Sequence, residues 1–210
     1  MYFHKSPGWL KTLYPGLIWE MIPPDDKSLY LTFDDGPVSE ITKFVLDTLE
    51  AYDAKATFFC VGENMLKNPA IVEKIVAAGH SLGNHTQRHL NGWKTGIEDY
   101  IKDIESCDLI IDQITGSENK KLYRPPYGRI KKSQIKALNK DRKIIMWDVL
   151  SGDFDQKLKQ EYCLEKSIKY SESGSIVVFH DSFKAEKNLR YVLPLYIDYF
   201  SKKNFKFLAI

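Results

Sequence analysis

Seven short, β-rich and mostly apolar segments alternate along this chain with stretches of helical periodicity, and that alternation restricts it to an α/β fold with parallel strands. The strand-like segments are 28–33, 56–61, 80–84, 122–124, 143–149, 175–180 and 205–210. Between them, 41–52 carries apolar residues at Ile41, Phe44, Val45, Leu49 and Tyr52, and Asn68-Pro69 opens a helix over 70–78 that Gly79 closes. Stretches 100–114, 131–139, 162–170 and 189–203 have the same character. Right-handed crossovers then lead either to a barrel or to an open sheet. Periodicity leaves both open.

A chain of 210 residues with 43% hydrophobic content can bury one substantial core. No linker, internal repeat or low-complexity stretch divides it. The formal net charge is only +2, and the lysine-rich stretches 140–143 and 202–203 are interrupted by acidic or apolar residues. They read as solvated helix faces and ends, so no nucleic-acid partner is expected. The 13% aromatic content suits sugar stacking and a well-filled core equally. Cys60, Cys107 and Cys163 are widely spaced and odd in number, which fits buried thiols in a reducing compartment better than a disulfide framework. Pro7 and Gly8 interrupt the first residues before an apolar run develops, so neither a signal peptide nor a transmembrane segment is expected. That points to a cytoplasmic protein while leaving a cell-envelope location open; oligomeric state is unread.

Leu29-Tyr30-Leu31-Thr32-Phe33 delivers two adjacent carboxylates, Asp34 and Asp35, into a Gly36-Pro37 turn. Neighbouring acids repel and call for a cation, an arginine or a proton. His85 and His89 place two imidazoles at i and i+4, and one carboxylate with two histidines makes an open metal site with room for water and substrate. Each half alone has a plainer reading. Asp-Asp-Gly-Pro serves as a turn and helix cap, and spaced histidines occur in solvated or core positions. Together they supply what each lacks, and hydrolysis becomes the leading hypothesis.

The pattern resembles the polysaccharide deacetylases of carbohydrate esterase family four, which share the chitooligosaccharide deacetylase homology domain. Thr32-Phe33-Asp34-Asp35-Gly36-Pro37 and His85-Thr86-Gln87-Arg88-His89 match the first two family motifs completely. Arg124-Pro125-Pro126-Tyr127-Gly128 matches the third, and Val178-Phe179-His180 the fifth with Val for Leu. The fourth, aligned on Trp147, departs: Leu150 stands where the first Asp is usual, Asp153 holds the second, and Phe154 replaces Trp. The resemblance implies a distorted, incomplete TIM-like (β/α) barrel of about seven parallel strands as a single domain over 28–210, with residues 1–27 as an extension packing on it.

It further implies that Asp35, His85 and His89 hold one divalent metal ion, zinc first, with cobalt, nickel or manganese as substitutes. Asp34 would take a proton from water, and Arg124 would hold Asp34 in place. The backbone N–H of Tyr127 would stabilise an oxyanion. His180 would protonate the leaving amine, with Asp153 fixing its tautomer. Pro126, Trp147, Phe154 and Val178 would form the substrate pocket. The implied activity is removal of acetyl groups from N-acetylated sugars of a carbohydrate polymer or oligomer, such as peptidoglycan or a chitin-like chain. O-acetyl ester cleavage on xylan-like polymers and a non-catalytic glycan-binding barrel are the alternatives. A metal-dependent phosphoesterase fits less well, because only one arginine is assigned and no glycine-rich phosphate loop is present.

Overall fold

The computed structural model describes residues 2–116 and 121–210. Its strands are β1 (Ser28–Asp34), β2 (Ala56–Cys60), β3 (Ser81–Asn84), β4 (Leu122–Tyr123), β5 (Lys143–Ile144), β6 (Val149–Leu150), β7 (Ile176–His180) and β8 (Lys206–Phe207). The helices are α1 (Gly8–Leu13), α2 (Ser39–Glu50), α3 (Gly62–Lys67), α4 (Pro69–Ala77), α5 (Ile97–Thr115), α6 (Lys132–Leu138), α7 (Gln160–Tyr170) and α8 (Glu186–Ser201). Seven strands run in the order β5-β4-β3-β2-β1-β7-β6, all parallel, while β8 pairs only with the start of β1. This is the distorted (β/α) barrel expected from the sequence.

Strand β1 explains the layering. All seven of its residues are buried, as expected of a parallel strand covered on both faces. The two-residue period sends Leu29, Leu31 and Phe33 to the helix-covered side, where Phe33 stacks on Phe58 and Phe179 at 5.1 and 6.1 Å. Buried residues of α2, α4 and α8, including Val45, Ile75 and Leu193, complete that core. Tyr30 belongs instead to a smaller cluster with Phe59, Leu122, Ile145 and Ile176. Thr32 and Asp34, in step with Tyr30, face the barrel interior and meet Arg124 there.

The segment read from the sequence as one strand over 143–149 is two, and they lie at opposite ends of the sheet. The backbone between them changes partner residue by residue. The Ile145 N–H donates to the Tyr123 carbonyl, Met146 to Ile18 and Asp148 to Ile176. No single neighbour follows it long enough to make a ladder, so it bridges the open side of the barrel. The first residues of the chain reinforce this bridge: Ile18 pairs with Ile145, Lys5 with Val149, and the Leu150 N–H donates to the His4 carbonyl. Helices α1 and α3, six residues each, were not foreseen, being too short to show a period. Among the described residues, no helix is long and apolar enough to cross a membrane.

Asp148 locks the closure from outside. Its buried carboxylate accepts from Lys5 at 2.7 Å, Lys11 at 2.9 Å and Ser175 at 2.6 Å. Burial opposes its charge, but these three donors prevail and hold its pKa below the ordinary carboxylate value. A lowered pKa contributes stability that is present above the unfolded value and lost as pH falls through the folded one. Asp148→Asn is therefore expected to lower the melting temperature by several degrees at pH 7, with the gap to the native chain narrowing as pH falls below the ordinary carboxylate range. Thermal unfolding followed by circular dichroism across pH checks this; a gap constant with pH contradicts it.

Candidate active site

Strand β1 ends in Asp34, and the chain turns so sharply there that Asp35 adopts φ 78°, in the left-handed region. Thr86, His89 and Tyr127, all beside the same cleft, have φ of 66°, 57° and 61°. Backbone of this kind in non-glycine residues persists only where surrounding contacts enforce it. Here they are visible. Asn64 on α3 donates to the Asp35 carbonyl at 2.8 Å. The buried Asp181 carboxyl accepts the Gly36 N–H at 3.1 Å and the Thr42 hydroxyl at 2.5 Å. A Cβ at position 36 would collide with that carboxyl, which is why glycine stands there. In the histidine loop, the Thr86 N–H donates to Asn84 at 2.7 Å, and Asp103 on α5 accepts from the backbone of Gln87 and Arg88.

These turns gather three donors. The Asp35 Oδ1 lies 3.0 Å from His89 Nε2 and 3.6 Å from His85 Nε2. One ligand atom from each of Asp35, His85 and His89 falls within 4.8 Å of the others, a fit for a single cation. The His85 Nδ1 faces the Arg124 carbonyl at 2.8 Å, which leaves Nε2 as its ligand atom. Burial pushes the His85 pKa down to about 4, so the ring is neutral and able to ligate at pH 7. Asp35 is held well below the usual carboxylate range: burial opposes its charge, but the His89 bond and the nearby histidines outweigh it.

Asp34 takes no part in that donor cluster. Its Oδ1 accepts from Arg124 Nη1 at 2.7 Å, while its Oδ2 lies 4.0 Å from His85 Nε2. Arg124 is wholly buried and donates also to Thr32 Oγ1 at 2.7 Å and to the carbonyls of Ile145 and Met146 at 3.2 and 2.8 Å. Its guanidinium lies 4.1 Å above the Phe59 ring centroid. On the neighbouring strand β7, His180 is the register partner of Asp34. Asp153 holds His180 twice, its Oδ1 2.8 Å from the ring Nδ1 and its Oδ2 accepting the backbone N–H at 2.7 Å. Burial works against a charged imidazole, yet Asp153, joined by Asp35 and Asp34, raises the His180 pKa to about 9. Asp148, the other acid near the altered fourth motif, points outward to its lysines.

A cavity of about 320 Å³ opens between these groups, lined by Asp34, Asp35, His85, His89, Tyr127 and His180 together with Trp147, Leu150, Phe154 and Val178. The Tyr127 ring packs edge-on against His89 at 4.7 Å, and Phe154 against His180 at 5.1 Å. Pro126, expected in the pocket, is buried and is not among the residues that line this cavity. Tyr2, Arg129 and Lys184 line it without having been singled out from the sequence. Nor was Asp181, which lies just past the end of β7 and before α8. Histidines 4 and 80 lie outside the site, each spent on backbone, with His4 Nδ1 facing the Leu150 carbonyl and His80 Nδ1 accepting from the Ala56 N–H.

With this geometry in view, comparison with known proteins is decisive: the polysaccharide deacetylase family model matches residues 22–142. The chain belongs to the polysaccharide deacetylase family. A peptidoglycan-N-acetylglucosamine deacetylase of Bacillus cereus is 35% identical over 161 residues, covering 76% of this chain and 58% of that protein. The chain thus spans rather more than half the length of that relative. A chitooligosaccharide deacetylase of Azorhizobium caulinodans is 30% identical over 76% of each chain. The solved structure of the Bc1960 peptidoglycan N-acetylglucosamine deacetylase superposes with a TM-score of 0.87 at 30% identity, covering 98% of this chain and 95% of that one. The family is metal-dependent, and the Asp35, His85 and His89 donors of this deacetylase-family barrel suit a divalent ion.

Because Asp181 is buried and braces the Gly36 N–H, Asp181→Ala should loosen the Asp34-Asp35 turn. The expected destabilisation is about 1–3 kcal/mol, the penalty for an unpaired buried donor. Asp181→Asn, which keeps an acceptor, should lose less. Chemical unfolding of the two variants measures the difference; equal losses would count against a bracing role.

Proposed function

We propose that this chain removes acetyl groups from N-acetylglucosamine residues of a polysaccharide, using one divalent metal held by Asp35, His85 and His89, with zinc the first choice and cobalt, nickel or manganese able to replace it. The supporting observation is the division of roles in the cleft. One carboxylate, Asp34, is tied to Arg124 and kept apart from the donor cluster, and one imidazole, His180, is tied to Asp153 on the opposite side. The names of the relatives point to the same acetamide substrates.

A divalent ion at this site would polarise the acetamide carbonyl and acidify a water molecule. Asp34 accepts the proton of the attacking water, and Arg124 fixes the carboxylate in the orientation that receives it. As the water oxygen bonds to the carbonyl carbon, the Tyr127 N–H stabilises the developing oxyanion. The carbon–nitrogen bond then breaks. His180 gives its Nε2 proton to the departing nitrogen, so that acetate and a free amino sugar result. Trp147, Leu150, Phe154 and Val178 give the acetyl group an apolar wall. Leu150 and Phe154, the two departures in the fourth motif, both sit on that wall, so the changes bear on substrate fit and leave the Asp153–His180 pair intact.

Acetate release from N-acetylglucosamine oligomers should be abolished by chelation and restored by added metal; full activity in a metal-stripped sample would sink the reading. His180→Ala should slow amide cleavage far more than cleavage of an activated aryl ester, since a phenolate leaves unprotonated. Equal losses on both would exclude His180 as the acid. The acid must be protonated, so the rate should fall as pH rises through the His180 pKa. Asp153→Asn removes the charge that lifts that pKa, and the alkaline limb should move to lower pH. An unmoved limb would separate Asp153 from this role.

A further inference from the structure

Two cations flank the cavity, and neither is consumed by the chemistry. Arg124 and Arg88, also near the site, are paired with Asp34 and Asp103. Arg129 and Lys184 line the cavity, are exposed, and have no carboxylate partner among the described residues. Both rest on aromatic rings. The Arg129 guanidinium lies 5.3 Å from the Trp93 ring centroid and 5.8 Å from that of Tyr127, and the Lys184 ammonium 5.4 Å from that of Phe154. Stacking of this kind holds a cation in place while its N–H groups remain free to donate.

The rings also fix which side each cation occupies. Tyr127 packs on His89, so Arg129 stands on the metal-donor side, whereas Phe154 packs on His180, so Lys184 stands on the leaving-group side. The acids closest to the reaction, Asp34, Asp35 and Asp153, are each engaged by Arg124 or by histidines. The two cations are therefore left for an anion brought by the substrate. Beyond Tyr127 the catalytic cavity adjoins a second, mostly apolar cleft of about 260 Å³, walled by Trp93, Tyr127, Trp147 and Trp19. A sugar lying there would present its apolar face to the rings with its substituents beside Arg129.

We propose that Arg129 and Lys184 read carboxylates on the sugars either side of the reacting N-acetylglucosamine, so that the preferred substrate is an anionic glycan strand rather than a neutral one. This rests on the deacetylase reading above and specifies its substrate class. The carboxylates have two chemical sources, lactyl ethers on the neighbouring sugars or peptides attached to them. A planar fork at Arg129 suits bidentate capture, and Lys184 acts as a point charge.

The test compares four ligands: peptide-free strands with free lactyl carboxylates, the same strands with those groups amidated, peptide-bearing strands, and a neutral N-acetylglucosamine tetramer. Binding is measured by calorimetry in an Asp34→Asn background and kcat/KM in the otherwise native protein, each with and without Arg129→Gln and Lys184→Gln. Each substitution should weaken binding to carboxylate-bearing strands about fivefold, as removal of a partly exposed ion pair does, and substantially less for the tetramer. The loss should shrink at high salt. Dependence confined to peptide-free strands assigns the lactyl groups, and dependence confined to peptide-bearing strands assigns the peptide acids. Equal losses on charged and neutral ligands, or amidated strands binding as well as charged ones, overturn the inference. Charge discrimination in binding without acetate release from any ligand overturns the deacetylase reading and leaves carboxylate recognition standing.

Discussion

The buried guanidinium of Arg124 ties together parts of the molecule that the chain order keeps far apart. Its side chain reaches Thr32 and Asp34 on the central strand, the Ile145 and Met146 carbonyls of the closing segment, and the face of Phe59. Its own carbonyl faces the ring nitrogen of His85. One residue therefore ties the closing segment to the central strand, holds one carboxylate and orients a histidine of the candidate metal cluster. A full positive charge in such a place is tolerable only because Asp34 balances it and backbone carbonyls take its remaining donors. Loss of either partner would strand a charge in the interior, which commonly costs several kcal/mol. Closure of the fold and readiness of the site are thus one electrostatic arrangement.

Around that pair, the site separates groups that would otherwise neutralise one another. Two adjacent aspartates leave β1, yet Asp34 turns inward to an arginine while Asp35 is swung by its left-handed backbone toward the histidines. The swing is maintained by Asn64 and by Asp181, whose own carboxyl burial pushes up to a pKa of about 8. On the far side, Asp153 spends both oxygens on His180 and is fully buried beneath it. One carboxylate is thus held by a buried cation and one imidazole by a buried carboxylate, within the same cleft.

Much of this was legible in the sequence because it depends on local rules. Alternating strands and helices, the Asp34-Asp35-Gly36-Pro37 turn and the His85–His89 spacing each carry their meaning within a few residues. Asp153 was found as the partner of His180 even though Leu150 and Phe154 had altered the motif around it. The parts that were not legible depend on contacts distant in sequence. Nothing within 143–149 announces that its backbone changes partners among Tyr123, Ile18 and Ile176. Asp181 follows His180 with nothing in its neighbourhood to single it out, because its partners, Gly36 and Thr42, lie some 140 residues away. Pro126 was placed in the pocket on its motif alone; its burial depends on how the 126–128 turn packs, which the motif does not state.

The separation of Asp34 from the metal donors is the central physical claim, and metal content measures it directly. Elemental analysis of purified native chain, Asp34→Asn and Asp35→Asn, each equilibrated with one equivalent of zinc and then desalted, distinguishes a ligand from a base. One zinc per chain retained in the native protein and in Asp34→Asn, with zinc lost from Asp35→Asn, is the expected result. Loss of zinc from Asp34→Asn with retention in Asp35→Asn would contradict it, since Asp34 would then be the ligand and the roles assigned across the cleft would be reversed.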